Sequence, residues 1–139
     1  LSYLVKAAMS GKSYTIYGYK GKQVRDQIHS HDVIRAFEAF AANPRRGEAY
    51  NLGGGRGNSA SVLECIALIE EFSGRKINFS YVEQNRRGDH ICYISDLRKI
   101  RAHYPEWSIT RSLRDILKEM VGAEETRAGS GAVMTADNR

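Results

Sequence analysis

The chain has 139 residues, of which 42% are hydrophobic and 27% are charged, with a formal net charge of +5 at pH 7. These values are ordinary for a soluble globular protein, and no apolar run approaches the roughly 18 residues that cross a bilayer, which argues against a membrane partner. The basic residues are scattered and form no stripe with aromatic side chains, so the charge does not argue for nucleic acid and suits an anionic small ligand equally well.

The first predicted element is a helix at residues 4–9, followed by a short apolar strand at residues 15–18. A turn-rich segment then leads to a second stretch of strand length, residues 24–29. Asp32 is predicted to cap the next helix, because apolar residues recur at helical spacing over residues 33–40.

Further along, residues 48–52 form a short strand candidate, and Ser61 with Glu64 has the pattern of a capping box that opens a helix ending before Gly74. Residues beyond that helix predict two more strands and two more helices: strands at 77–83 and 91–95, helices opened by Asp96 and by Ser112. Residues 122–139 are small and polar without any period, which predicts a disordered tail.

Cysteine and histidine usage predicts no metal site. Cys65 and Cys92 have no disulfide framework or ligand spacing, and both are interpreted as small buried thiols in a reducing cytoplasm. His29 and His31 have no third ligand at metal spacing. The chain also lacks an initiator Met and begins inside a predicted helix, so we expect a piece of a longer protein.

One loop has the form of a dinucleotide fingerprint. Gly55-Arg56-Gly57-Asn58-Ser59-Ala60 fits G-x-G-x-x-A, with a strand candidate before it, a helix after it and Glu83 at the end of the next strand. Against this interpretation, residues 48–52 are half polar, whereas a first Rossmann strand is buried on both faces. The alternative is a tight turn that needs its glycines only for backbone conformation.

A longer motif indicates a family. Residues 17–32 read Tyr-Gly-Tyr-Lys-Gly-Lys-Gln-Val-Arg-Asp-Gln-Ile-His-Ser-His-Asp and resemble the Y-G-x-G-x-Q-x-R-D segment of extended short-chain dehydrogenase/reductases. The motifs that follow, residues 50–55, 85–89 and 93–96, keep the same order, so the resemblance covers about residues 1–121. It is specific for the nucleotide-sugar epimerase and dehydratase branch, although Arg87 stands where other members commonly carry proline.

The resemblance implies an α/β fold: the carboxy-terminal, substrate-binding part of such an enzyme, a small domain with the last elements of a Rossmann sheet. In the family, NAD lies in an amino-terminal Rossmann domain with the catalytic Ser/Thr and Y-x-x-x-K residues. This sequence has no such pair, so it is expected to bind the nucleotide-sugar, with CDP-sugars favoured, and to be inactive alone. The partners implied are that missing domain and, for the intact enzyme, a possible homo-oligomer.

The resemblance also implies the substrate-binding residues. Arg25 and Arg86 are candidates for the diphosphate, because a planar guanidinium can bind phosphate oxygens with two hydrogen bonds. Gln23 lies two residues before Arg25 on the same face of a strand and is a candidate sugar or nucleotide contact. Asp89 would orient Arg86 or contact a ribose. The alternatives are a structural pair of Arg25 with Asp26 or another acid, and a solvated basic loop around Arg86.

Two other functions stay open at this point. The chain could be a free-standing nucleotide-binding module that uses the loop at Gly55, or a non-catalytic member of the same fold that serves interaction or regulation. Trp107, which follows Pro105, is interpreted as a hydrophobic anchor and not as a stacking platform.

Overall fold

A computed structural model describes residues 1–136, with side chains through residue 129. The chain divides into two compact units. Unit 1 comprises Leu1–Lys22, Val62–Asp89 and the chain from Arg114 onward, and unit 2 comprises Gln23–Ser61 and His90–Leu113. Each unit is described by itself.

The chain forms five helices and five strands within the described residues. In chain order they are α1 Ser2–Ser10, β1 Tyr14–Tyr17, β2 Val24–Asp26, α2 Ser30–Ala42, β3 Ser59–Ser61, α3 Val62–Ser73, β4 Phe79–Val82, β5 Cys92–Tyr93, α4 Arg98–His103 and α5 Leu113–Ala136. This alternation of helices and strands confirms the predicted α/β class.

Unit 1 contains a two-stranded parallel sheet and three helices. β1 pairs with β4 in register, from Tyr14 opposite Phe79 to Tyr17 opposite Val82, and α1 packs against α3 and β1. The buried apolar residues of this unit, which recur at helical spacing in the helices, are Leu4, Val5, Ala7, Ala8, Ile16, Cys65, Ile66, Ile69, Ile77, Ile116, Leu117 and Val121. α3 ends as predicted, because Gly74 adopts the left-handed conformation (φ 64°) that terminates helices.

Unit 2 is a three-stranded sheet with two helices. The strand order is β3-β2-β5, with β2 antiparallel to β3 and parallel to β5. Its core consists of Ala36, Leu97, Ile100, Tyr104 and Trp107. The anchor role of Trp107 is confirmed, since its side chain is 2% exposed and its indole N–H donates to the main-chain oxygen of Asp32 at 2.9 Å.

The structure corrects the start of α2. The helix begins at Ser30, and its cap is His29, whose Nδ1 accepts the main-chain N–H of His31 at 3.0 Å. Asp32 therefore lies in the first turn and not at the cap. Its fully buried carboxylate accepts hydrogen bonds from the Thr110 hydroxyl (2.6 Å) and the main-chain N–H groups of Thr110 and Arg111. Burial alone would raise the pKa of Asp32, but these hydrogen bonds outweigh it and the pKa is lowered.

Other predicted elements also differ. Residues 48–52 form no strand, and the second strand ends at Asp26. α5 extends through Ala136, so residues 122–136 are helical where a disordered tail was predicted; the tail's last residues, 137–139, lie outside the described residues. Alanine and glutamate among residues 122–129 favour a helix even though the side chains there are mostly exposed.

The two cysteines differ from each other. Cys65 is buried in α3, and burial raises the pKa of its thiol. Cys92 is exposed on the edge strand β5, which corrects the expectation that both thiols are buried. Across the described part of the chain, no group of three or more His, Cys, Asp or Glu side chains is placed to hold a metal ion. Within residues 1–136, no helix is both long and apolar enough to cross a bilayer.

Candidate functional site

Two turns of unit 1 carry the residues that the family motifs single out. The first, called the tyrosine turn, comprises residues 18–22 and follows β1. Gly18, Tyr19, Lys20 and Gly21 all have positive φ, at 66°, 50°, 53° and 71°. Glycine adopts this region freely, whereas a tyrosine or lysine rarely does, so contacts elsewhere must hold this turn in place.

The second turn, called the arginine turn, comprises residues 85–89 and follows β4. The main-chain N–H of Asp89 donates to the oxygen of Arg86 at 3.1 Å, and Gly88 has φ 78°. This is a β-turn with glycine at its third position, the place where a left-handed residue is required in a type II turn. Arg86 and Arg87 are the first two residues of this β-turn, which spans residues 86–89, and both side chains are exposed.

The two turns are joined by specific contacts. The Asn85 side-chain amide donates to the Tyr19 hydroxyl at 3.1 Å, and that hydroxyl donates to the main-chain oxygen of Asp89 at 3.1 Å. The N–H of Gly18 donates to the oxygen of Val82 at 2.8 Å. A Cβ on Gly18 would lie 2.5 Å from the Cβ of Asn85, so only glycine permits this approach.

Arg86 lies on an aromatic ring. Its guanidinium carbon is 4.7 Å from the ring centroid of Tyr17, the last residue of β1, in a cation–π contact. A guanidinium has five N–H donors, more than one ring contact can engage, so donors remain for phosphate oxygens. The contact therefore orients the guanidinium and is compatible with anion binding.

In unit 2, Arg25 lies at the centre of β2, opposite Ala60 of β3 and Tyr93 of β5. It is half-buried, and its Nη1 donates to the main-chain oxygen of Val24 at 2.7 Å. Gln23 is half-buried immediately before this strand.

Asp26 has a structural role. Its Oδ2 accepts the main-chain N–H groups of Gly55 at 2.8 Å and of Ser95 at 3.0 Å, so it fixes two loops of unit 2.

The four predicted ligands fall into two pairs, Arg86 with Asp89 in unit 1 and Gln23 with Arg25 in unit 2. No role was predicted for Tyr17, Tyr19 or Asn85, and the one feature of the sequence that points to them is their position in the family motifs.

The loop at Gly55 lacks the geometry of a dinucleotide site. Residues 48–52, directly before it, form no strand, and residues Arg56–Asn58 form a 3₁₀ turn that continues into strand β3 and not into a helix. A Cβ at Gly57 would meet nothing within 4 Å, whereas a Cβ at Gly54 would lie 1.9 Å from the oxygen of Gln27. Gly54 therefore serves close packing, whereas Gly57 makes no approach that needs a glycine, and these residues do not fit the pyrophosphate of NAD.

A cavity of about 650 Å³ in unit 2 lies beside this loop and is lined by residues of the segments 54–58 and 94–98 and by Arg101 and Ile109. Its main charged feature is an ion pair in which Arg98 Nη2 lies 2.6 Å from Asp96 Oδ2. Hydrogen bonds from the side chain and main chain of Arg98 lower the pKa of Asp96 to about 2.

Sequence comparison connects the chain to known enzymes. Residues 1–53 match the NAD dependent epimerase/dehydratase family. CDP-paratose 2-epimerase from Salmonella typhi is 35% identical over 111 residues, which are 78% of this chain and 32% of that protein. dTDP-glucose 4,6-dehydratase 1 from Escherichia coli K12 is 35% identical over 100 residues, 67% of this chain and 27% of that protein.

Structural comparison agrees. The UDP-glucose 4-epimerase of Thermotoga maritima with UDP-glucose superposes with a TM-score of 0.78 at 26% identity, covering 91% of this chain and 39% of that one. The UDP-glucuronic acid 4-epimerase of Bacillus cereus, in complex with UDP-glucuronic acid and NAD, gives 0.77 at 28% identity, covering 88% and 38%. The chain belongs to the NAD-dependent epimerase/dehydratase family of nucleotide-sugar enzymes, and it spans about a third of the length of the curated relatives it matches.

Proposed function

We propose that this chain is the substrate-binding part of an NAD-dependent nucleotide-sugar epimerase of the CDP-paratose 2-epimerase type. Its similarity to that enzyme over 111 residues supports the subfamily. No tyrosine in the sequence is followed four positions later by lysine, and the only glycine loop of dinucleotide form has the wrong geometry. The NAD-binding and catalytic residues would accordingly lie in another part of a longer protein.

The arginine turn is the observation that carries this proposal. Arg86 projects from a tight turn, is exposed, and has its guanidinium oriented by Tyr17. We assign Arg86 and Arg25 to the diphosphate of the substrate, Gln23 to the sugar or nucleotide, and Asp89 to the orientation of Arg86 or to the ribose. Charge-assisted hydrogen bonds to a diphosphate are strong enough to fix the ligand's position.

Fixing the diphosphate is the chain's contribution to the reaction. In the proposed epimerisation, the hydride transfer that inverts one sugar carbon would be supplied by NAD held in another part of the enzyme. The residues described above hold the nucleotide end, so that the sugar is presented in one orientation. Positioning of this kind lowers the barrier by removing translational and rotational freedom before the reaction. The two free thiols are compatible with an enzyme of the cytoplasm.

The test measures ligand affinity in the intact protein that carries this chain. Removing one partner of a buried charged hydrogen-bonded pair costs about 2–5 kcal/mol, or roughly 30-fold or more in affinity. We expect Arg25→Ala and Arg86→Ala each to weaken CDP-glucose or UDP-glucose binding by at least that factor, with NAD affinity nearly unchanged. Lysine at either position should restore binding only in part, because a point charge cannot reproduce the planar fork.

Arg87→Ala is the matched control, since Arg87 is the next residue of the same turn and is assigned to solvent. If Arg25→Ala and Arg86→Ala behave like Arg87→Ala, the site assignment is wrong even though the family is right. Product analysis with CDP-, UDP- and dTDP-sugars then separates an epimerase, which yields an isomer, from a dehydratase, which yields a keto-deoxy-sugar and water.

A further inference from the structure

We propose that Tyr19 is a positioning residue for Arg86: it holds the arginine turn so that the guanidinium meets the ligand's diphosphate. This inference rests on the proposed role of Arg86 and adds a residue that acts on the ligand only through it. It is drawn from the contacts between the tyrosine turn and the arginine turn, all of which lie within unit 1.

The backbone at Tyr19 is unfavourable and needs compensation. Its φ of 50° lies in the left-handed region, and the next residue, Lys20, is there as well at 53°. Large L-residues seldom adopt this conformation, and where they do, the surrounding structure over-determines it. The N–H of Lys20 donates to the hydroxyl of Tyr81 at 3.2 Å, which is one such restraint.

The hydroxyl of Tyr19 provides a second restraint, and this one connects the tyrosine turn to the arginine turn. It accepts from the side chain of Asn85 and donates to the main-chain oxygen of Asp89, each at 3.1 Å. Asn85 and Asp89 are the first and last residues of the arginine turn, and Arg86 lies between them. One phenolic oxygen thus fixes both ends of the segment, which requires a group that donates and accepts at once.

Tyr17 completes the arrangement at the other end of the side chain. Tyr19 fixes the backbone from which Arg86 extends, and the Tyr17 ring lies 4.7 Å from the guanidinium. Gly18 separates the two tyrosines and permits the close approach of Asn85. A long side chain held at both its base and its charged head loses less freedom when it binds, which favours affinity.

A purely structural role for Tyr19 makes a different prediction, so a double-mutant cycle separates the two. If Tyr19 acts through Arg86, removing its hydroxyl weakens ligand binding only while Arg86 is present. If it merely supports the fold, the loss is the same with and without Arg86, and the affinity for NAD falls as well.

The experiment uses the intact protein, with CDP and UDP as diphosphate probes and NAD as the internal reference, measured by calorimetry. Tyr19→Phe removes both hydrogen bonds of the hydroxyl, which predicts about threefold to tenfold weaker CDP or UDP binding. In the Arg86→Ala background the same change should alter affinity by less than about twofold. Tyr3→Phe, which removes the hydroxyl of an exposed tyrosine in the same unit, is the matched control and should change nothing.

A further variant tests the other contact. Tyr17→Leu removes the aromatic ring beside the guanidinium and should weaken binding of the probes about twofold to fivefold. Should Tyr19→Phe fail to fold, Asn85→Ala removes one arm of the same bridge and carries the same expectation. Equal losses in both Arg86 backgrounds would overturn the inference, whereas an Arg86→Ala variant that binds normally would instead overturn the proposed function.

Discussion

The tyrosine turn at residues 18–22 and the loop at residues 53–57 both contain glycines that lie against another segment of their own unit. A Cβ at Gly18 would lie 2.5 Å from that of Asn85, the first residue of the arginine turn. A Cβ at Gly54 would lie 1.9 Å from the main-chain oxygen of Gln27, which belongs to the framework around β2. The local requirement is the same in the two loops, but the segment that approaches each glycine differs.

The difference shows what a glycine pattern can and cannot establish. A glycine indicates where two backbones come close. Whether a ligand binds there, and of which kind, is indicated by the side chains of the neighbouring segment. Beside Gly18 that segment carries Arg86 on an aromatic ring. Beside Gly54 that segment carries Gln27 and Asp26, and the carboxylate of Asp26 accepts the main-chain N–H groups of Gly55 and Ser95. The anion site that we propose therefore lies at the first loop.

The largest effect is expected at the second loop, where packing alone is at stake. Gly54→Ala places a methyl group against main-chain atoms that cannot rotate away, and it should lower the free energy of unfolding by about 3 kcal/mol or more. Gly57→Ala is the matched control, because its Cβ would meet nothing within 4 Å and its φ is not positive; the change should stay within about 0.5 kcal/mol. Denaturant unfolding of both variants measures this.

The same two variants also test whether the loop at residues 53–57 binds a nucleotide. A dinucleotide fingerprint would need Gly57 for the approach of the pyrophosphate and would tolerate a change at Gly54. Loss of nucleotide or NAD binding in a well-folded Gly57→Ala protein would restore that interpretation and make the two loops functionally alike.

A smaller effect is expected at the tyrosine turn. Gly18→Ala combines a left-handed φ with the collision at Asn85, so we expect a loss of about 2 kcal/mol of stability together with weaker binding of CDP or UDP. Gly11→Ala separates the two causes, because Gly11 has φ 69° in the same unit but no atom within 4 Å of a Cβ. It should cost about 1 kcal/mol and leave binding intact. Equal binding by both variants would show that the arginine turn does not depend on Gly18.

Much of the fold could be predicted from local pattern. Apolar periodicity located the helices, and Gly74 marked the end of α3, because these features depend on residues a few positions apart. The role of Asp32 could not be predicted, since its partners Thr110 and Arg111 lie 78 and 79 positions away. The strand expected at residues 48–52 failed for a related reason: a half-polar run of five residues becomes a strand only if a neighbour pairs with it.

The candidate site divides in the same way. Arg25 and Arg86 could be chosen as candidates from the sequence, because they lie in the motifs that resemble the family. The function inferred for Tyr19 could not, because its contacts to Asn85 and Asp89 span 66 and 70 positions. They depend on the parallel pairing of β1 with β4, which places the ends of the two strands side by side.

The smallest effect concerns Arg98, an arginine that lines the cavity beside the second loop. It tests whether this arginine differs from Arg86 in having a carboxylate partner. Arg98 forms an ion pair with Asp96 in the cavity beside residues 54–58, and this pair lowers the pKa of Asp96 to about 2 from an ordinary value of 3.8. The contribution of the pair to stability is therefore fully present above the ordinary pKa and is lost as the pH falls through about 2. Both groups are exposed, so the effect on stability at neutral pH should be small.

Titration of the Asp96 carboxyl carbon by NMR is the appropriate measurement. Arg98→Ala should raise the midpoint towards 3.8 but not fully to it, because the main-chain N–H of residue 98 still donates to Asp96. Arg101→Ala, which removes another arginine of the same cavity, should leave the midpoint near 2. Such a result means that the guanidinium of Arg98 is already committed to a carboxylate, whereas that of Arg86 is held on a neutral ring that leaves its charge for a ligand. An ordinary midpoint in the parent protein would show that the pair does not form in solution, and the cavity beside Gly55 would then offer an uncommitted arginine of its own.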